Sequence, residues 1–325
     1  MSATTEQPAL ITAYYLSHGH FTVIPHQLEE NFADMTDCGF NAVAMSFSES
    51  EMQYSRRAFE IQVSLARKAG LKVFEIPSRL GGRFAGAPLM PGIWIAQHPE
   101  AQVPGYTGFG APIACLEHAG FRSWFKEFMA TLLRDYPLDG IICDEPKQER
   151  CVSRHPDTLA KFGPNPSPED MEDGFVDFLR DITAHCHSVR KGLAVTLFNQ
   201  KTYSERFTRQ SAAIPGIQYV GYDGNLARQS FFHEEPQWHK YRIESVWERT
   251  LRECRQAGKK TFALVENMLM PSVAIPEYEA NFDAYLQACH PDHLAIYYYA
   301  HNNEDPERVH DVTRRLMRRH LLGAS

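Results

Sequence analysis

Eight times along this chain a short apolar run is followed by a stretch whose apolar residues recur at helical spacing, and this alternation restricts the fold more than any other feature. Ile11–Leu16, Asn41–Phe47 and Leu71–Ile76 read as the first three strands, and they begin about 30 residues apart, the length of one strand–helix unit. Helices His26–Cys38 and Ser55–Ala69 lie between them, closed by Gly39 and Gly70. After a long insertion the rhythm resumes with strands Gly140–Cys143, Leu193–Phe198, Ile217–Gly221, Thr261–Val265 and His293–Tyr299. The helices expected between them are Phe121–Asp135, Pro168–Ser188, Tyr203–Ala212, Glu235–Ala257 and Glu277–Ala288, and Pro306–Leu321 closes the chain. Strands apolar on both faces belong in a parallel sheet covered by helices. Eight such units predict an α/β fold, a (β/α)₈ barrel spanning residues 1–325 as one domain, with long loops after strands three and four. An open doubly wound sheet is the competitor. It usually carries an early glycine phosphate loop, and Gly81, Gly82 and Gly86 do not fit that pattern.

Composition narrows the function classes. The net charge is −7, and the only basic clusters, Arg314-Arg315 and Arg318-Arg319, fit a solvated helix face, so no nucleic-acid partner is expected. No apolar run approaches a membrane span, and the polar start Met1–Leu10 lacks the features of a signal peptide, so no membrane partner is expected. The seven cysteines are scattered and never spaced as C-x₂-C, which favours reduced thiols and a cytoplasmic location over a disulfide framework or a zinc site.

In such a barrel the chemistry sits at the C-terminal ends of the strands. Those ends carry His18 and His20, then Ser46, Ser48 and Glu49, then Glu75 and Arg79, then Asp144-Glu145-Pro146. The later strands end in Asn199, in Tyr222-Asp223, in Glu266-Asn267, and in Tyr299 and His301. Strand four lies almost opposite strand seven, so Glu145 and Glu266 are expected to face each other. Carboxylates sharing a cup repel, which keeps one protonated near neutral pH, as glycoside cleavage requires. The connection Ser78–Ala119 offers Arg79, Phe84 and Trp94 as a wall for a sugar; the alternative is that its aromatics form the loop's own core.

With Asp144-Glu145-Pro146 ending strand four and Val265-Glu266-Asn267 ending strand seven, the chain resembles the clan of retaining (β/α)₈ glycoside hydrolases. Within it, Ala13–Phe21, Leu71–Gly86 and Gly140–Pro146 look like an uncharacterised group of glycosyl hydrolase-like sequences that carry Asp-Glu-Pro. The resemblance implies a carbohydrate substrate, no cofactor, Glu145 as acid/base and Glu266 as nucleophile, with Tyr222 donating to Glu266. Asp144 departs from the clan's asparagine, and is either catalytic itself or bridged to Arg79 or Arg83.

Two other functions fit the same residues. A metal-dependent sugar isomerase, epimerase or lyase would draw ligands from Glu75, Glu145, Asp223, Glu266 and His301, although no H-x-x-x-H spacing supports it and no metal site is expected. A non-catalytic carbohydrate-binding barrel would keep the loop aromatics and tolerate loss of either glutamate.

Overall fold

The computed structural model describes residues 8–14, 24–86, 92–108, 111–147, 152–227, 242–297 and 303–322. Eight parallel strands close into a barrel: β1 (Leu10–Tyr14), β2 (Ala42–Phe47), β3 (Lys72–Pro77), β4 (Gly140–Asp144), β5 (Ala194–Asn199), β6 (Tyr219–Asn225), β7 (Lys260–Glu266) and β8 (His293–Tyr297). Each strand pairs with the next, and β1 completes the ring, pairing Leu10–Tyr14 with His293–Tyr297 on one side and Thr12–Tyr14 with Ala42–Ala44 on the other. The expected barrel is therefore observed, with β2 beside β1.

Side chains of successive strand residues point to opposite faces, and two apolar clusters show which face is which. One cluster, including Tyr14, Ala44, Phe74, Ile142, Phe198, Tyr219, Phe262, Leu264, Ala295 and Tyr297, draws its buried members from the strands alone, so it is the barrel interior. The other joins the alternate strand residues, such as Val43, Val73, Cys143 and Val220, to helix residues such as Phe32, Phe125 and Phe178. At the floor of the interior His293, wholly buried, lies between the hydroxyls of Thr12 (2.8 Å) and Thr196 (3.3 Å), ringed by Phe74, Tyr219 and Phe262. Gly221 faces the same interior. A Cβ there would lie 1.8 Å from the carbonyl oxygen of Phe262, so only glycine lets β6 approach β7 this closely.

The helices form as their caps direct. Helix Pro168–Val189 starts with Pro168 at its first turn and a reciprocal cap between Ser167 and Asp170. The last helix, Pro306–Leu321, buries Val309, Val312, Leu316 and Met317 and is tied to the first, Pro25–Asp37, by a hydrogen bond between His310 and Asp34 and an ion pair from Arg314 to Asp34. Most strand and helix bounds differ from the sequence expectation by a residue or two. The larger difference is β6, which runs on to Asn225, so Tyr222 and Asp223 lie within a strand instead of beyond it. Helix Trp247–Ala257 is preceded by a 3₁₀ turn, Ile243–Val246, and the expected start of that helix, 235–241, lies outside the described residues.

The insertion after β3 has structure of its own: a short helix, Ile93–Gln97, and an antiparallel hairpin, Gln102–Gly108 with Ala111–Ala114. Neither was expected from the sequence. Among the described residues no helix is long and apolar enough to cross a membrane, and the six described cysteines are buried and form no disulfide with one another.

Candidate active site

The phase of each strand decides which polar residues enter the cup. Counting in twos from the interior cluster, β4 turns Asp144 inward, β6 turns Asp223 and Asn225 inward, and β7 turns Glu266 inward. Tyr14 and Tyr297, at the ends of β1 and β8, stand edge to face with ring centroids 5.3 Å apart. In the β6–β7 ladder Asn225 lies directly beside Glu266. Asp144, Asp223, Asn225 and Glu266 are all at least nine-tenths buried, so the three carboxyl groups among them sit in a low dielectric.

Asp144 is a perturbed carboxyl at the mouth. Burial and the neighbouring Glu145 push its pKa up to about 7; Lys147 and the Tyr14 hydrogen bond pull the other way, and Asp223 adds repulsion. Tyr14 donates its hydroxyl to Asp144 Oδ2 at 3.0 Å. Glu145 lies past the strand end, ion-paired to Lys147 at 2.5 Å. Its backbone is left-handed, with φ at 38°. Among the described residues the non-glycines in that region are Arg79, Glu145 and Leu269, which follow β3, β4 and β7, so backbone strain collects at the mouth.

The turn after β4 is held from several directions. The Ala85 N–H donates to the Asp144 carbonyl at 2.8 Å, and the Lys147 N–H donates to the Arg83 carbonyl at 2.8 Å. Tyr203, after β5, donates its hydroxyl to the Pro146 carbonyl at 2.5 Å. Arg79 donates to the Gly86 carbonyl at 2.7 Å; burial lowers its pKa, against the opposing pull of Asp144 and Glu145. Gly86 has φ at 108° and packs on Ser78 so closely that a Cβ would overlap it, a conformation reserved for glycine.

Other residues expected to bind substrate stand elsewhere. Glu75 falls on the helix-facing phase of β3, wholly buried, with no hydrogen-bond partner for either carboxyl oxygen. Burial raises its pKa well above the ordinary value, and Cys143 and Cys186 feel its charge. Tyr222 also faces the helices and donates to Glu253 at 2.7 Å, not to Glu266, with Arg249 over its ring. Asn199 takes the helix-facing phase of β5. Asn267 is buried outside the cup and donates to the Tyr297 carbonyl and the Thr313 hydroxyl.

The insertion's aromatics pack against the barrel's helices. Phe84 packs among Phe125, Phe175 and Phe178, while Trp94 stacks between His98 and Trp124 at centroid distances of 4.0 and 5.2 Å. Glu49 fastens the insertion to the barrel: its carboxylate accepts the Trp94 N–H at 2.6 Å, and burial raises its pKa. Arg83 donates from Nε to the Ala114 carbonyl at 2.6 Å and so staples the hairpin. His18, His20, Tyr299 and His301 lie outside the described residues. Tyr14 was not expected; the two-residue phase of β1 is the signal that identifies it. Among the described residues no group of three His, Cys, Asp or Glu side chains is arranged to hold a metal ion.

No family profile matches the chain, and no curated protein matches it in sequence. Solved structures do match. A β-galactosidase from the psychrophilic Marinomonas ef1 superposes with a TM-score of 0.63 at 10% identity, over 95% of this chain and 59% of that one, so this chain spans about three fifths of its length. The catalytic domain of a β-amylase from Paenibacillus polymyxa gives 0.61 at 9% identity, over 90% and 93%. GH5_18 from Streptomyces cattleya, solved with GlcNAc, gives 0.61 at 14% identity, over 99% and 82%. These neighbours are glycoside hydrolases, and at 9–14% identity what this chain shares with them is the closed eight-stranded barrel.

Proposed function

We propose that this chain hydrolyses a glycosidic bond, with Asp144 as the general acid and Glu266 as the nucleophile of a retaining reaction. The reading rests on one observation above all: two inward-phased carboxyl groups end β4 and β7, and one of them is pushed up to about 7. A carboxyl poised there is half protonated at neutral pH, which suits delivery of a proton to a leaving oxygen. Glu266 supplies the second carboxylate, which attacks the anomeric carbon as the leaving group departs. Glu145 supports this pair from beside it, engaged with Lys147 and raising the pKa of Asp144. The sequence resemblance gave the acid role to Glu145. The alternation of β4 and the Lys147 ion pair favour Asp144 instead. The fold neighbours act in support, as glycoside hydrolases on the same barrel.

The test uses aryl glycosides of graded leaving-group ability. Glu266→Ala should be inactive on all of them, since it removes the covalent step. Asp144→Asn should keep slow turnover of the most activated substrates, rescued by external azide. If Glu145→Gln shows that pattern while Asp144→Asn does not, the acid is Glu145. In the wild type, turnover should fall as pH rises through about 7, because the acid form is consumed. Activity lost to a chelator and restored by a divalent ion points to an isomerase or lyase instead.

A further inference from the structure

We propose that Tyr14 is a positioning residue of this site: its hydroxyl occupies Oδ2 of Asp144 and so fixes Oδ1 as the oxygen that carries and delivers the proton. The inference rests on the glycosidase reading for the word deliver, and on geometry for the rest. Tyr14 ends β1 on the interior face, 1% exposed, and its ring is braced edge to face by Tyr297 from β8. Its hydroxyl reaches across the barrel to Asp144 on β4 at 3.0 Å. A phenol donates one hydrogen, and here that hydrogen points at Oδ2. When Asp144 takes up a proton with this bond intact, the proton sits on Oδ1. In the reaction the Oδ1–H proton passes to the glycosidic oxygen, that oxygen keeps the electron pair of its breaking bond to the anomeric carbon, and Asp144 is left as a carboxylate. Tyr14 then holds this carboxylate with a charge-assisted hydrogen bond, which is strongest after the proton has left.

The charged groups around Asp144 come from several elements. Glu145 and Lys147 belong to its own turn, Asp223 faces it from β6, and Arg79 comes from the end of β3. Tyr14 is the partner from β1 and touches the reaction only through Asp144. Its effect is therefore on when Asp144 is ionised, and a merely structural tyrosine would leave that unchanged.

The experiment is a carboxyl titration by ¹³C NMR on the intact protein, with the Asp144 signal assigned by its loss in Asp144→Asn. Tyr14→Phe keeps the ring and removes the hydroxyl. The Asp144 midpoint should rise by about one pH unit, as expected for one lost hydrogen bond to a charged group. The alkaline limb of the pH–rate profile on an aryl glycoside with a poor leaving group, whose departure needs the proton, should move up with it. An unmoved midpoint in a folded Tyr14→Phe protein overturns the proposal. Should that variant not fold, 3-fluorotyrosine placed at position 14 gives the same answer by ¹⁹F NMR: its signal should titrate with Asp144 and lose that step in Asp144→Asn, and a signal that ignores Asp144 overturns it. A shifted midpoint in a protein that cleaves no glycoside upholds the Tyr14–Asp144 assignment and removes the glycosidase reading.

Discussion

At the scale of single residues, the interior of the barrel is sensitive to protons at both of its ends. His293, at the floor, has its pKa lowered to about 3 by burial, so it is held neutral between two threonine hydroxyls. The unfolded chain protonates this histidine near 6.5, and the folded chain does not until about 3, so stability is present above 6.5 and declines as pH falls through that window. His293→Leu should cost about 2–3 kcal/mol at pH 7 by leaving buried hydroxyls unmatched. Its deficit relative to wild type should shrink at pH 4, which urea denaturation at the two values measures. The residue scale is also where the sequence was least legible. The polar character of the strand ends was plain, but polarity alone does not say which face a residue takes. Glu75, Tyr222, Asn199 and Asn267 fall on the helix-facing phase, while Asp144, Asp223 and Glu266 fall on the inward one. A step of one residue turns a cup ligand into a core group, and an apolar run buried on both faces carries no alternation to reveal the step.

At the scale of elements, strand and helix positions were legible because caps and breakers mark them: Pro306 opens the last helix, Ser167 caps the one after β4, and glycines close several. The insertion after β3 was not, because its short helix and hairpin are held by distant partners such as Glu49 and Arg83, and local pattern does not record these. The turn after β4 combines both cases. Asp144-Glu145-Pro146 was visible as a motif, whereas the left-handed backbone at Glu145 is imposed by the clamps from Arg83, Ala85 and Tyr203. An L-residue pays about 1 kcal/mol or more for that conformation and glycine does not. Glu145→Gly should therefore be more stable than Glu145→Ala by about 1 kcal/mol, the reverse of the usual order. Equilibrium unfolding of the two variants measures it, and no substrate is needed.

At the scale of the whole molecule, the count of eight strand–helix units was enough to predict closure, and the ring is closed by β1 with β8. Barrel closure leaves the mouth as the place where loops from separate strands meet, and here two of them are bonded to each other through their backbones: Ala85 to Asp144, and Lys147 to Arg83. The consequence concerns inheritance. The segments 78–86 and 144–147 are expected to vary together, because each supplies half of one hydrogen-bonded frame and a replacement that changes the backbone path of one withdraws the partner groups of the other. Grafting either segment alone from a donor barrel should lower turnover at least tenfold, and grafting both from the same donor should recover most of it, measured on one activated aryl glycoside. Single grafts that work as well as the double would mean that the two segments evolve as separate parts.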